Sequence, residues 1–281
     1  MTTMQQCILF CGAFVCTAAH FYAEPLRWRV AYLNERSSWA VVKDVFLFTS
    51  LASYVLPFKL GVPLRIGLVA QFISLGLSSV GIIMAMDGVA MLLVWLLAVA
   101  SIGGRSVLPL VSSDDLRWVL VLSIVVGCVA FFCVLKFDRL RSAVGTFSRS
   151  LKRAPKSMSI AASIFAVDIA IYGARHSLIA TGVGLDPTEW LSWALLGITA
   201  TFAGIVSGMP MGLVGYDAAL VLLYGSVGAS PVEAGLVAVI NRGMSLMAAT
   251  LLGLPASRRL GFGRNVSVLY RRLREMTRAR T

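Results

Sequence analysis

Residues 54–65 read Tyr54-Val-Leu-Pro57-Phe-Lys59-Leu-Gly61-Val-Pro63-Leu-Arg65, and residues 208–217 read Gly208-Met-Pro210-Met-Gly212-Leu-Val-Gly215-Tyr216-Asp217. Each is a short apolar run broken by proline and glycine and ending in a charge. They occupy corresponding places in the two halves of the chain. In a chain this apolar, a matched pair of interrupted helices marks a mid-membrane binding site and points to a transporter.

Working outward, composition sets the class. Hydrophobic residues are 58% of the 281, charged residues 14%, and the mean hydropathy is +0.84, more than a water-soluble core of this length needs. The nearly charge-free stretches are long enough to cross a hydrocarbon layer of roughly 30 Å as helices, and no alternating pattern suggests a barrel. The expected fold is an all-α polytopic helical bundle with two re-entrant or broken-helix hairpins. Apolar periodicity places spans at 7–23, 79–101, 116–136, 158–181 and 232–254. Interrupted pairs fall at 44–58 with 64–77 and at 190–208 with 210–228. The chain reads as one transmembrane domain, with halves at 1–136 and 157–257, a basic connector at 137–156 and a basic tail at 258–281.

The net charge of +12 is concentrated in that connector and tail. Lys136, Arg139, Arg141, Arg149, Lys152, Arg153 and Lys156 crowd the first, and Arg258, Arg259, Arg264, Arg271, Arg272, Arg274, Arg278 and Arg280 the second. This is the positive-inside signature, not a nucleic-acid footprint, and it puts the C-terminus in the cytoplasm of a multi-pass inner-membrane protein. On that topology residues 43 and 79 both face inward, so 44–77 must enter and leave by one face. Arms of about 14 residues span about 21 Å, short for a crossing. The expected result is a re-entrant hairpin with 57–65 at its tip, and a second around 210–217 entering from the opposite face. The halves are then inverted repeats of the alternating-access kind.

An ionisable group at membrane depth is a functional candidate by default. Lys59 and Arg65 sit where a lipid phosphate could be held, and Asp217 could pair with Arg65 or Arg242. Asp168 and Arg175, seven apart, share a helix face and form a candidate polar track. His176 and His20 carry only a weak signal for a proton-linked switch. Cys7, Cys11, Cys16, Cys128 and Cys133 lie in apolar spans without metal-like spacing and read as packing residues. The start of the chain lacks the basic segment and cleavage site of a signal peptide. No phosphate-binding loop of Walker type is present, no metal or cofactor is expected, and the chain does not read as an enzyme.

The leucine-proline, basic residue, glycine, arginine pattern, with a later glycine-rich run and a downstream arginine, resembles the lysylphosphatidylglycerol synthase transmembrane region, or flippase-like, family over nearly the whole chain. Pro57, Lys59, Gly61 and Arg65 match the first motif, Pro210, Gly212, Leu213 and Asp217 the second, and Arg242 the last. Arg27-Trp28-Arg29 resembles a further family run. This chain departs from the pattern with Pro63 and Asp217 where the family has glutamate, and with Asp87 alone of a Glu-Arg-x-x-Asp run, Ile83 and Met84 standing in the other places. The family's usual first span also has no counterpart.

The resemblance implies movement of a charged or glycosylated lipid headgroup across the bilayer, by a flippase or scramblase acting on a phospholipid, polyprenyl lipid or glycolipid. It also implies a membrane-associated synthase or glycosyltransferase as partner. The rival readings are an integral-membrane glycosyltransferase using Asp114 and Asp115, which read more simply as first-turn carboxylates of a capped helix, and an accessory subunit of an envelope glycolipid synthesis system.

Overall fold

A computed structural model describes residues 2–33, 37–56, 60–106, 145, 149–150, 154–206 and 215–261. Pro57, Lys59, Pro210, Gly212, Leu213, Asp114, Asp115, Cys128, Cys133, the span at 116–136 and most of the basic connector and tail lie outside them. The described residues form helices and no strands. In chain order they are α1 (Thr3–Trp28), continued by a π-helical turn at Arg29–Leu33, α2 (Trp39–Val55), α3 (Gly61–Ile73) and α4 (Leu77–Ser106). After the connector come α5 (Pro155–Val183), a 3₁₀ turn at Pro187–Glu189, α6 (Trp190–Val206), α7 (Gly215–Ser226) and α8 (Pro231–Arg259).

The ends of these helices follow from local chemistry. Thr2 with Gln5, and Ser230 with Glu233, form reciprocal capping boxes at the starts of α1 and α8, satisfying backbone N–H groups that have no partner inside the helix. Pro155 and Pro231 begin their helices where no N–H is needed. Pro25 lies inside α1, four residues before the π-helical turn. A proline that removes a backbone bond next to a register change is a recognised cause of helix distortion.

The two halves share one order of helix lengths. The first runs 26, 17, 13 and 30 residues, the second 29, 17, 12 and 29. The helices that open the halves run antiparallel, since Gln6 Nε2 at the start of α1 donates to the Gly182 carbonyl at the end of α5, and His20 meets Asp168. Among the described helices, the pair that opens the two halves is therefore antiparallel.

Thr3–Leu33, Leu77–Val94, Pro155–Val183 and Pro231–Arg259 are long and apolar enough to cross a membrane. Their outer faces carry exposed Ile8, Val15, Leu92, Val167, Val239 and Leu251, side chains that suit lipid rather than water. The protein is a multi-pass membrane protein. Cys7 and Cys11 lie on the exposed side of α1, which corrects their reading as packing residues.

Each interrupted pair folds back on itself. In the first, Gly61 packs against Ser53 and Thr49, and Arg65 bonds to Thr49 and Ser50, so α3 returns antiparallel along α2. A Cβ on Gly61 would sit 1.9 Å from Ser53 Oγ and 2.5 Å from the Thr49 carbonyl oxygen, so the arms close only around glycine. In the second, the Trp193 and Tyr224 rings stack at 5.3 Å and Thr201 meets Tyr172 beside Tyr216, which sets α7 antiparallel to α6. The helices that follow the two turns begin at residues 61 and 215. Gly61, Pro63 and Arg65 belong to the first turns of α3, and Gly215 and Asp217 open α7, because a proline or glycine is tolerated in a first turn as readily as in a loop. Likewise α8 runs to Arg259 and takes in Arg258 and Arg259, placed by sequence in the tail.

Candidate functional site

The two hairpins end at one turn of α8. Ser245 is the middle residue of that 29-residue helix, and the hydroxyl of Tyr54, just before the first hairpin turn, interacts with it. One turn away, Asn241 Nδ2 donates to the hydroxyl of Tyr216, just after the second hairpin turn, at 2.5 Å. Neighbouring Arg242 clasps Asp217, with Nη2 to Oδ2 at 2.5 Å and Nε to Oδ1 at 3.3 Å. Helices of 13 and 12 residues reach only about 20 and 18 Å at about 1.5 Å per residue, less than a hydrocarbon core of roughly 30 Å.

Arg175 of α5 completes this centre. It is 2% exposed, and its Nη2 donates to the Asn241 carbonyl at 2.7 Å and to Ser245 Oγ at 2.5 Å. Its guanidinium lies over the Tyr172 ring. The Tyr172 and Tyr216 hydroxyls share a bond of 2.9 Å, and Tyr216 reaches His176 Nε2 at 3.2 Å. Arg175 Nε, His176 Nδ1, Asn241 Oδ1 and Arg242 Nη1 have no hydrogen-bond partner among the described residues. Buried donors and acceptors left open in this way cost about 1–3 kcal/mol each. These four atoms lie buried close to Tyr216.

The arginines of the helices, buried at 27, 65 and 175 and exposed at 259, differ in how they are compensated. Arg65 is held by Glu24 of α1 as well as by Thr49 and Ser50, over the Phe46 ring. Arg27 makes a two-point contact with Asp87 of α4, and Arg259 makes one with Asp44 at the far end of α2. Among the described residues Arg175 meets no carboxylate. An arginine without a counter-ion in a low-dielectric setting is the group with most to gain from an anionic ligand.

Of the residues picked from sequence, Asp217 and Arg242 pair with each other. Arg65 turns instead to Glu24 of α1, from its place on α3 beside α2. Asp168 and Arg175 share α5 but serve different neighbours, His20 and Arg27 for the first and α8 for the second. Glu24, Tyr54, Asp87, Tyr172, Tyr216, Asn241 and Ser245 were missed as site residues. Asp87, alone and charged in an otherwise apolar span, is the one that a rule about intramembrane charge would have found.

The described cavity, of about 500 Å³, lies between α4, α5 and α6 and not at the hairpin turns. Ala166, Ala170, Gly173 and Ala174 form its floor, and Trp190 and Leu191 stand on its α6 side. Its lining is apolar and includes neither Tyr172 nor Arg175, which face α7 and α8.

Helical hairpins that pack against long apolar helices around a buried polar centre define a multi-pass membrane protein. The chain belongs to the lysylphosphatidylglycerol synthase TM region family, whose profile matches residues 5–253, a family of membrane domains in lipid-related proteins. No curated protein and no solved structure matches the chain.

Proposed function

We propose that this protein is a lipid transporter, a flippase or scramblase that moves a charged or glycosylated headgroup past the turns of its two hairpins. The observation that carries the reading is the convergence of Tyr54 and Tyr216 on one turn of α8, beside the uncompensated guanidinium of Arg175. An anionic headgroup group docks against Arg175 and the open atoms of His176, Asn241 and Arg242. The apolar groove along α5 takes the lipid tail. Re-entry of the hairpins from opposite faces supplies the two half-gates. The protein does no covalent chemistry in this scheme. It sits in the inner (plasma) membrane with Arg29, Lys43, Arg258 and Arg259 at the cytoplasmic side, where a membrane-associated synthase or glycosyltransferase supplies the lipid.

The test is reconstitution of the purified chain into liposomes of the source organism's lipid extract, with each lipid class followed across the bilayer. Movement of one class that is lost in both Arg175→Ala and Asp217→Ala is the expected result. Folded protein that moves no class would overturn the reading.

A further inference from the structure

The polar centre carries an excess of positive charge. Arg175 and Arg242 stand there against Asp217, and both oxygens of Asp217 are held by Arg242. His176 can add only to the positive side. The next carboxylate along α5 is Asp168, about 10 Å away at about 1.5 Å per residue, and it is turned to His20 and Arg27 of α1. Among the described residues, the other elements around Arg175 bring hydroxyls: Tyr54 from α2, Thr201 from α6 through Tyr172, and Tyr216 from α7. The excess charge therefore rests on Arg175, which is 2% exposed.

The open atoms of this centre have a matching polarity. Arg175 Nε and Arg242 Nη1 are buried donors without a partner among the described residues, and Asn241 Oδ1 is a buried acceptor without one. They belong to one turn of α8, since Arg175 Nη2 bonds the Asn241 carbonyl beside Arg242. Two donors on cations suit the two free oxygens of a phosphodiester, and charge-assisted bonds of that kind are about twice as strong as neutral ones. The acceptor asks for an O–H or an N–H. Charge decides between them. A phosphodiester bearing neutral hydroxyls brings one negative charge and leaves the centre neutral. A zwitterionic headgroup leaves the excess charge in place, and a lysyl ester, with two ammonium groups against one phosphate, doubles it. Asp217 offers an ammonium nothing, because Arg242 already occupies it. Buried charge without a partner is the costly case, and tyrosine and threonine hydroxyls, which both donate and accept, suit a ligand with hydroxyls of its own.

We propose that the polar centre selects a lipid whose headgroup is a singly charged phosphodiester bearing hydroxyls, and rejects headgroups that bear ammonium groups. Arg175 and Arg242 take the phosphate oxygens. Asn241 Oδ1 and the hydroxyls of Tyr54 and Tyr216 take those of the headgroup. The Arg242 and Asp217 side chains are 22% and 25% exposed, so this edge is the one by which a headgroup reaches the buried guanidinium. The assignment rests on the headgroup site of the transport reading above, but equilibrium binding tests it without any transport.

Binding is measured by calorimetry on the full chain in an uncharged detergent and about 1 M salt, where a Debye length of about 3 Å screens the basic tail. The ligands are dioctanoyl phosphatidylglycerol, dioctanoyl phosphatidylethanolamine and the lysyl ester of the first. Phosphatidylglycerol is expected to bind at least about tenfold more tightly than either of the others. Arg175→Gln keeps a donor for the Asn241 carbonyl but loses the charge, and is expected to bring the three affinities within about threefold of one another. Arg175→Lys keeps the charge and the order. Equal affinities in the wild type, a tighter lysyl ester, or an undiminished preference in Arg175→Gln overturns the assignment. The wild-type comparison needs no variant, so the assignment stays testable where Arg175→Gln fails to fold.

Glycerophosphoglycerol, the same headgroup without tails, separates a lipid from a free phosphodiester. Binding at least about tenfold weaker than that of the lipid is expected, and equal binding overturns the lipid source. The two readings fail separately. Preferred binding of phosphatidylglycerol by a protein that moves no lipid in liposomes sinks the transport reading and keeps the headgroup assignment. Lipid movement by a protein that binds the three lipids equally does the reverse.

Discussion

Tyr54 and Tyr216, which flank the turns of opposite hairpins, reach positions one turn apart on α8, Tyr54 at Ser245 and Tyr216 at Asn241. The two halves of the protein therefore make their deepest polar contacts on a single helix, and each contact is a hydroxyl rather than a charge. Hydroxyl bonds of this kind are worth about 0.5–1.5 kcal/mol net, strong enough to set a position and weak enough to be exchanged for a ligand.

Tyr54→Phe and Tyr216→Phe test that balance. Each removes one oxygen and keeps the ring, so each costs about 1 kcal/mol of stability. Tyr216→Phe also strips partners from Asn241, His176 and Tyr172, and is expected to be the more damaging of the two in thermal unfolding in detergent. Equal and negligible shifts would argue that the hydroxyls bind nothing.

Asp87→Asn leaves the Arg27 guanidinium buried without its two-point partner. Breaking a buried ion pair from one side costs about 3–5 kcal/mol, so a large fall in the unfolding midpoint is expected. Arg27→Lys should not be silent either, because an ammonium cannot reproduce the two parallel bonds. A wild-type midpoint in both variants would show that the pair is not formed.

Glu24 and Arg65 are coupled, since each is the other's ionic partner. Arg65→Ala should destabilise by more than the double variant Arg65→Ala with Glu24→Gln, which removes both charges together. A double-mutant cycle on unfolding free energies measures the difference, expected at about 1–3 kcal/mol for contacting charges. Strict additivity would place the two residues apart.

Gly61→Ala puts a methyl group inside the van der Waals radii of Ser53 Oγ and the Thr49 carbonyl oxygen. Overpacking of this sort costs about 1–3 kcal/mol. Ser53→Ala is not expected to restore it, because the second clash is with backbone. Rescue by Ser53→Ala would mean that the arms can move apart freely.

Asp217→Asn and Arg242→Gln each break the same pair and should reduce lipid movement to a similar extent in the liposome assay, with the charge exchange Asp217→Arg, Arg242→Asp recovering part of it. Recovery would assign the pair an electrostatic role in holding the α7 turn. Normal transport in either single variant would remove the pair from the mechanism.

Much of this architecture was legible because apolar length and proline-glycine interruption are properties of the chain itself. The span ends were less so. Pro57 and Pro63 look alike in sequence, yet Pro63 enters the first turn of α3, where its missing N–H costs nothing. Which charges would pair was not legible at all. Arg65 could be seen as an intramembrane cation, but its partner Glu24 lies 41 residues away on a helix whose position depends on packing among α1, α2 and α3. Asp168 and Arg175 looked like one track because seven residues return a helix to the same face. The structure divides them between α1 and α8, since a face shared along one helix is still met by different neighbours at different heights.

The shared turn of α8 has a mechanical meaning. Two doors hung on separate posts can stand open together, but Tyr54 and Tyr216 bear on one post between Asn241 and Ser245. A displacement of α8 by one helical turn, about 5.4 Å, would carry one side chain toward the place of the other and trade the partner of the first hairpin against that of the second. On the transport reading proposed above, a continuous pore requires both bearings to fail at once, which keeps the bilayer sealed.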